Sequence, residues 1–495
     1  MIRISQINLP CGADASALRQ KVQRLLPKGM PLLELRIVKH SVDARKKPQL
    51  LDVYTVDVVT GKGPEAETKA VQRCRDRRVS MAAVRSYRFP ESGTADLPDR
   101  PVVIGAGPAG LFCSLYLAEH GYQPILLERG RMIEERTGDV ERFWREGRLD
   151  PSSNCQFGEG GAGTFSDGKL TTLVNDPAGR AEEVLKRFVE FGAPEEILYE
   201  GRPHIGTDRL RTVIIRMRQA ILAAGGTIRY EAQVTGLEQQ AGVIRGVCVN
   251  NKELIPASVV VLAPGHSARD TLRTLYAAGI PMEQKNYAVG FRVIHPQRMI
   301  DEAQYGISDP VLLEKLHLEA SSYKLTAKAS DGRGVYSFCM CPGGYVVNAS
   351  SEPGRLCVNG MSDYKRDSGY ANSAIVMTVS EKDFGSDHPL AGMEFQEKLE
   401  ETCFQLGEGA IPCEGYPDFE KTVLGHSSAS APADLGQPVP DEGGQPGEIP
   451  QIRGACRKAP VHRILPAVLN QDFCEGMRRF ERQIPGYADA ALVAG

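Results

Sequence analysis

The sequence predicts an α/β fold built on a parallel sheet, with a small α+β unit before it and a β-rich region after it. First, the apolar stretch at residues 102–104 runs into a glycine-rich turn at 105–110, and a helical pattern and a second apolar stretch follow. Second, residues 1–74 alternate short strand and helix patterns. Third, short strands with turn signals recur from about residue 288. Strand–turn–helix–strand order is typical of a doubly wound sheet, and runs of short strands indicate an antiparallel one.

Composition excludes several classes of protein. The 495 residues are 42% apolar and 24% charged, a globular balance that suits about three domains. No apolar run reaches the roughly 18 residues of a membrane-spanning helix, and the first residues lack the apolar core of a secretion signal. We therefore expect a cytoplasmic protein with no membrane partner, whose 12 cysteines are reduced thiols.

Charge is distributed unevenly along the chain and helps to divide it. Residues 1–95 hold 18 Lys and Arg against 9 Asp and Glu, whereas the whole chain has a formal net charge of −3. This separates a basic first domain from an acidic body. The predicted divisions are a small basic α+β domain at 1–90, a Pro/Gly/Ser/Asp-rich linker at 91–100, a nucleotide-type α/β domain at 101–285, a β-rich lid at 286–415, and a loop with a helical tail at 416–495.

Apolar periodicity predicts the individual elements. In the first domain it predicts strands at 1–8, 32–39 and 51–59 and helices at 16–26 and 64–74. In the α/β domain it predicts a helix at 208–224 and strands at 227–230, 232–238, 243–249 and 258–262. In the lid it predicts strands at 288–295, 335–340, 345–349, 355–359 and 374–379, with a hairpin turn at 343–344. A helix at 395–405, an acidic loop at 435–451 and a helical pair at 461–469 and 473–483 follow.

The glycine turn, residues 105–110, has the spacing of a Rossmann-like dinucleotide site. Gly105 permits the tight strand-to-helix turn, Gly107 lets the backbone approach a diphosphate, and Gly110 lets helix and strand pack closely. The helix N-terminus offers N–H groups to the phosphates. Glu128 ends the second strand, where its carboxylate can accept hydrogen bonds from both ribose hydroxyls. The alternative is a glycine-rich turn in an unrelated α/β protein.

The signature loop, residues 154–169, is the most unusual stretch of the chain. It carries five glycines between Gly158 and Gly168. Such a loop can turn consecutive backbone N–H groups toward an anion or the edge of a flavin ring. The alternative is a flexible surface loop.

The chain resembles the largely uncharacterised FAD-dependent dehydrogenases that carry a small N-terminal domain. The resemblance rests on SVDARKKP (41–48), IGAGPAG (104–110), QFGEGGAGTFSDGKL (156–170), APGHSARDT (263–271), YSFCMCPGGYVV (336–347) and ANSA (371–374). It implies a Rossmann-like FAD-binding domain with an inserted, mostly antiparallel β lid. In such folds a late strand returns to the FAD domain with a Gly-rich acidic turn. We find no such segment here, and we expect a C-terminally truncated chain.

The motifs and the resemblance together imply a set of cofactor contacts. The backbone near Val234 is expected by the adenine, and small residues after the late strand are expected by the ring. The implied contacts are Gly105, Gly107, Pro108, Ala109, Gly110, Glu128, Arg129, Gly160, Gly161, Ala162, Gly163, Thr164, Lys169, Val234, Ala263 and Gly265.

Candidates for catalysis are few, and each has a structural alternative. Lys169 places a cation near a reduced flavin or forms a surface salt bridge; His266 donates to the cofactor or merely packs. The pair Cys339 and Cys341 is either redox-active, with both thiols on one strand face, or a pair of buried apolar groups. Arg292 and residues 364–366 meet an anionic substrate or form a solvated face. No HExxH, paired CxxC or Ser-nucleophile motif is present, so we expect no metal site.

These observations predict an FAD-dependent oxidoreductase that holds FAD non-covalently and passes hydride between flavin N5 and a small-molecule substrate under the lid. A second glycine fingerprint is absent, so NAD(P)H enters the same cleft as external reductant or electrons come from a partner protein. One alternative is a flavin-binding protein that binds or modifies RNA through its basic first domain. In that domain, residues 45–47 are basic. They either bind an anion or nucleic acid or form a solvated, charged hairpin. The other alternative is an inactive fragment.

Overall fold

The computed structural model describes residues 1–83, 86–172, 174–425, 451–488 and 492–494. The chain forms two compact units. The first comprises Met1–Glu91, Lys169–Ile205 and Asp301–Ser321, and the second comprises Ser92–Gly168, Gly206–Ile300 and Ser322–Gly495. The first unit therefore contains more than the small domain outlined from the sequence, while the assignment of functions to domains stays a prediction.

The first unit is built on a four-stranded antiparallel sheet. Its order is Glu34–Asp43, Leu51–Val59, Ile2–Pro10, Val79–Met81. Ile2, Ile4 and Ile7 are all fully buried, although Ile4 and Ile7 would face opposite sides of a regular strand. A register shift between them brings both into the core. The helices are Ala15–Leu25, Pro64–Arg73, Arg180–Glu190 and Pro310–Lys315, with a 3-10 turn at Glu195–Leu198. The elements predicted for residues 1–74 are confirmed to within a few residues.

The second unit begins with a Rossmann-like arrangement, which confirms the predicted fold class. A parallel sheet has the order Val260–Leu262, Val102–Ile104, Ile125–Leu127, Thr227–Arg229. Beside it lies an antiparallel sheet of Val234–Gln240, Val243–Val249 and Glu253–Pro256. The last of these strands is not predicted, because it is short and ends in proline. The helices of this part are Pro108–Glu119, Ile133–Glu146, Thr207–Ala223 and Arg269–Ala277, with a 3-10 turn at Ala162–Phe165.

The remainder of the second unit is β-rich. A seven-stranded sheet has the order Thr326–Lys328, Gly334–Cys341, Tyr370–Val379, Tyr287–Pro296, Leu492–Ala494, Ile411–Gly415, Cys456–Lys458, and only its last pair is parallel. A three-stranded sheet contains Val358–Met361, Tyr345–Asn348 and Ile452–Arg453. The helices are Glu381–Phe384, Ala391–Gly407, Tyr416–Leu424 and Ala467–Glu481, with a 3-10 turn at Val461–Arg463. Helix Gln297–Tyr305 contains a boundary between the units, because Ile300 belongs to the second unit and Asp301 belongs to the first.

The hairpin predicted at residues 343–344 is wrong. Strands Gly334–Cys341 and Tyr345–Asn348 belong to different sheets. A bulge interrupts the first strand after Phe338. At Gly343 φ is +51°, and a Cβ there would lie 1.6 Å from the carbonyl oxygen of Arg366. The two glycines therefore allow two backbone segments to pass close to each other, and they do not form a hairpin turn.

Three further predictions after residue 350 need correction. The strand predicted at 355–359 lies at Val358–Met361. The predicted helical pair is one helix, Ala467–Glu481, because Pro466 falls inside the first predicted helix and proline is not tolerated in a helix interior. The region predicted as loop and tail also contributes strands to both sheets. Of the acidic loop predicted at 435–451, residues 435–450 lie outside the described residues.

Among the described residues, no helix combines the length and the apolar character needed to cross a bilayer.

Candidate functional site

A cavity of about 300 Å³ opens where the strands of the parallel sheet end. Its wall is formed by the glycine turn, by the residues that follow strands Ile125–Leu127 and Val260–Leu262, and by the signature loop. Ligands of doubly wound sheets bind at this carboxyl edge. The predicted site residues that line the cavity are Gly105, Gly107, Pro108, Ala109, Glu128, Arg129, Gly161, Ala162, Gly163, Val234, Ala263, Gly265 and His266.

The three glycines of the turn have different physical roles. Gly105 has φ of +98°, and a Cβ there would lie 2.4 Å from the carbonyl oxygen of Ala263. A Cβ on Gly110 would lie 1.8 Å from the carbonyl oxygen of Gly105. Gly107 has an ordinary φ of −71°, and a Cβ there would have only the Cα of Gly161 within 4 Å, at 3.9 Å. The first and third glycines are therefore required by packing, whereas the second keeps the cavity open.

The helix that follows the turn presents its N-terminus to the cavity. Gly107 is the N-cap of helix Pro108–Glu119, and no side chain caps the helix. Pro108 occupies the first position, where its lack of an N–H group is harmless. The first turn of an α-helix leaves backbone N–H groups without intrahelical partners and carries a partial positive charge. This end of the helix is thus able to bind an anion such as a phosphate.

Glu128 holds the glycine turn and the signature loop together. Its Oε2 accepts a hydrogen bond from the backbone N–H of Ala106 at 2.7 Å. Its Oε1 accepts from the N–H groups of Gly130 and Gly158, each at 2.9 Å. A carboxylate has about four acceptor positions, so about one remains for a ligand. The predicted contact with a ribose stays a prediction, with room for one hydroxyl rather than two.

A fully buried arginine supports the signature loop from behind. Arg136 lies on helix Ile133–Glu146 and is 0% exposed. Its Nε donates to the carbonyl oxygen of Asn154 at 2.8 Å, and its Nη1 donates to those of Glu159 at 2.6 Å and Gly161 at 3.0 Å. Burial lowers the pKa of Arg136 to about 10. This one side chain fixes the path of the loop segment that lines the cavity.

Two buried acids anchor the rest of the loop. The carboxylate of Glu159 accepts from the N–H of Ile133, the first residue of its helix, at 2.9 Å, and from Tyr230 Oη at 2.6 Å. Burial raises the pKa of Glu159, although Arg218 Nη1 lies 2.9 Å away. At the far end, Asp167 forms a buried, two-pronged ion pair with Arg366, with Nη2–Oδ2 at 2.5 Å. The loop is therefore a fixed structure, and the alternative of a flexible surface loop is wrong.

Arg129 and His266 are the basic side chains of the cavity wall. Arg129 lies 4.3 Å over the ring of Phe157 and donates to Asp270 at 2.8 Å. His266 is exposed to solvent. Surrounding protein and the charge of Arg269 lower its pKa, so the imidazole is neutral at pH 7 and can accept a proton.

Six predicted residues do not line the cavity. Gly110 packs inside the turn. Thr164 is buried beside Gly160, and a Cβ on Gly160 would lie 2.2 Å from the Oγ1 of Thr164. Lys169 belongs to the first unit, is exposed, and forms a backbone bridge with His204. The other two are Cys339 and Cys341.

The redox interpretation of the two cysteines is not supported. Cys341 is fully buried, and Cys339 is half-buried. Cys339 has φ of +47° and lies in the bulge of its strand. The bulge breaks the alternation that would place both thiols on one strand face. Cys341 instead donates to the carbonyl oxygen of Cys339 at 3.3 Å.

Of the lid cations expected to meet an anionic substrate or to form a solvated face, Arg292 and Arg366 are buried and Lys365 is exposed. Arg292 is 3% exposed and donates to Asn372 Oδ1 at 2.5 Å and Asn359 Oδ1 at 3.2 Å. Arg366 pairs with Asp167 as described. Both arginines therefore organise the interior of the second unit.

Sequence reasoning missed several residues that form or support the cavity. Gln156 and Phe157 line the cavity and could have been predicted, because they belong to the signature loop. Ser267 and Thr271 also line it, and they belong to the motif at 263–271. Ser267 Oγ donates to Gln156 Oε1, which links the two motifs. No sequence pattern indicated that Arg136 is buried, because an arginine on a polar helix usually faces water.

Comparison with known proteins finds a family model described by its dependence on FAD and an uncharacterized relative of the whole chain. Residues 286–495 match the family model described as FAD-dependent protein, C-terminal domain-like, and residues 1–59 match a domain of unknown function. An uncharacterized protein of Clostridium beijerinckii is 40% identical over 499 residues, covering 100% of this chain and 88% of the relative. Glycerol-3-phosphate dehydrogenase from Bacillus halodurans, complexed with FAD, has 15% identity and a TM-score of 0.28 over 60% of this chain and 52% of that one. L-amino acid deaminase from Proteus vulgaris has 14% identity and a TM-score of 0.25, covering 61% of this chain and 66% of that one.

Proposed function

The chain belongs to the family of the Clostridium beijerinckii relative, and its residues 286–495 match the C-terminal domain of FAD-dependent proteins. From this we propose that it is an oxidoreductase whose cavity at the glycine turn holds FAD for hydride transfer to or from a small-molecule substrate. Bound FAD would supply a ring that takes up a hydride at N5. The substrate would lie between the ring and the β-rich part of the second unit.

The residues of the cavity fit such a cofactor. The open space at Gly107 and the uncapped helix N-terminus suit a diphosphate. The remaining acceptor position of Glu128 suits one ribose hydroxyl. Gly161, Ala162 and Gly163 line the wall with backbone and little side chain, so N–H groups there can approach a flat ring closely.

The chain's own residues would orient the reactants and handle protons. Arg136 and Glu128 hold the loop and the turn, so the donors that line the cavity are already in place before binding. His266, neutral at pH 7, is the side chain of the wall best suited to accept a proton from a substrate hydroxyl or amine. NAD(P)H or a partner protein would supply or remove electrons in the same cleft.

One observation carries the proposal: a single buried carboxylate joins the glycine turn to the signature loop around one cavity. The test is the visible absorbance spectrum of the purified full chain, followed by chromatographic identification of the released cofactor. We expect a flavin spectrum and FAD. A colourless protein that takes up no FAD on reconstitution would contradict the proposal, as would release of FMN instead of FAD.

A further inference from the structure

The first unit contains a second cavity whose rim is strongly basic. We call it the basic groove and define it by Arg24, Lys28, Lys69, Arg73 and Arg75. It has a volume of about 820 Å³ and lies where helices Ala15–Leu25 and Pro64–Arg73 end. All five cationic side chains are exposed.

The charge of the basic groove is not neutralised by ion pairs within the described residues. The one acid that lines it, Asp76, is held by Arg78 at 2.6 Å. Other acids of the unit pair elsewhere: Asp57 with Arg3, Asp43 with Arg45, and Glu67 with the N-terminal ammonium group. Two helix C-termini contribute about half a negative charge each, which offsets only a small part of five positive charges.

The floor of the groove is apolar. Leu25, Leu26, Pro27, Met30 and Ala66 line it and are less exposed than the cations. A rim of cations above an apolar floor suits a ligand that alternates phosphates with flat, weakly polar rings. Arginine donates two parallel hydrogen bonds to a phosphate, and three of the five cations are arginine. A purely acidic chain such as polyglutamate would pair with the cations but has no apolar group for the rest of the lining.

We propose that the basic groove binds single-stranded nucleic acid, with phosphates on its five cations and bases over its apolar floor. This binding site is independent of the FAD cavity, whose lining residues all belong to the second unit. Failure of one proposal therefore leaves the other unaffected.

The test uses the full chain and a fluorescein-labelled oligouridylate about 12 nucleotides long. Fluorescence anisotropy gives the dissociation constant between about 50 and about 200 mM salt. For single strands, each neutralised phosphate contributes about 0.7 to the slope of log K against log salt. Five contacts therefore predict a slope of about −3.5. A lack of binding at the lowest salt concentration would overturn the proposal.

Matched variants locate the site. The variant R24Q/K28Q/R73Q removes three charges from the groove, and K39Q/K62Q/K315Q removes three exposed charges from the same unit outside it. We expect the slope to become shallower by about 2 in the groove variant only. Equal slopes in the two variants would overturn the proposal. Competition by polyglutamate as strong as that by unlabelled oligouridylate would overturn the assignment to nucleic acid. Thermal melting checks that both variants fold.

Discussion

The carboxylate of Glu128 accepts a hydrogen bond from the backbone N–H of Gly158 at 2.9 Å, across 30 positions of the chain. The same carboxylate accepts the N–H of Ala106, in the glycine turn. The two segments that line the cavity thus share one buried acceptor. Glu128, for which the sequence predicts a contact with ribose, therefore also builds the wall of the cavity.

Replacing Glu128 by Gln is expected to loosen the cavity. The amide oxygen cannot accept three N–H groups well, and its NH2 group would face other donors. An unsatisfied buried polar group costs about 1–3 kcal/mol, so we expect E128Q to weaken FAD binding by about tenfold or more and to lower the melting temperature. Titration of apoprotein with FAD measures the affinity. The control is E135Q, at an exposed carboxylate; if E128Q binds FAD as tightly as E135Q, this role of Glu128 is wrong.

The glycine turn offers a pair of variants that separate binding from folding. G107V places its side chain in the open cavity, with an allowed backbone conformation. We expect a folded protein that takes up no FAD. G110A puts a Cβ 1.8 Å from a carbonyl oxygen, and we expect misfolded protein. Circular dichroism and cofactor content measure the two effects. Stoichiometric FAD in G107V would place the diphosphate elsewhere.

Arg136 is expected to contribute strongly to stability. In R136M, the carbonyl groups of residues 154, 159 and 161 lose their donors in a buried position. Several lost hydrogen bonds of this kind predict a destabilisation of about 3–5 kcal/mol. Chemical denaturation measures it. The control R145M changes an exposed arginine of the same helix and should have little effect. Equal midpoints for the two variants would contradict the role assigned to Arg136.

His40 predicts a pH dependence in the first unit. Its Nδ1 lies 2.8 Å from Glu200 and its Nε2 lies 3.0 Å from Asp52. Burial opposes the charged imidazole, but the two carboxylates outweigh it and raise the pKa of His40 to about 9. Because the folded pKa exceeds the unfolded value of about 6.5, the stabilisation is complete below about pH 6.5 and is lost as the pH rises through about 9.

Two measurements check this prediction. An NMR titration of the histidine ring protons, with H40Q to assign the signal, should show a midpoint near pH 9; a midpoint near 6.5 would refute it. Wild type should also lose up to about 3 kcal/mol of stability from pH 6.5 to 9.5 relative to H40Q.

The sequence predicted those features that depend on local pattern. Strand Leu51–Val59 and strand Val243–Val249 match the predicted bounds. Both were predicted from the alternation of apolar residues along the chain, which indicates a strand with one buried face. The glycine turn was also predictable, since strand, turn, helix and acid follow in order. Twelve of the predicted cofactor contacts and the catalytic candidate His266 line one cavity, and their roles stay predictions.

Features that depend on the neighbours of a residue were not predictable. Nothing local distinguishes buried Arg136 from exposed Arg145 on the same helix. The bulge at Cys339 arises where strand Gly334–Cys341 pairs with strand Tyr370–Val379, and the close approach of Gly343 to Arg366 joins two separate segments of the chain. The basic groove likewise brings together residues 24–28 and 69–75 from two helices. The sequence showed their charge but not their common cavity.

The most direct measurement of the central claim is a crystal structure of the chain grown with FAD. We predict that the diphosphate lies against the backbone at Gly107 and the N-terminus of helix Pro108–Glu119, and that the ring lies beside Gly161–Gly163. A structure in which side chains fill this cavity, or in which FAD occupies another part of the chain, would contradict the account.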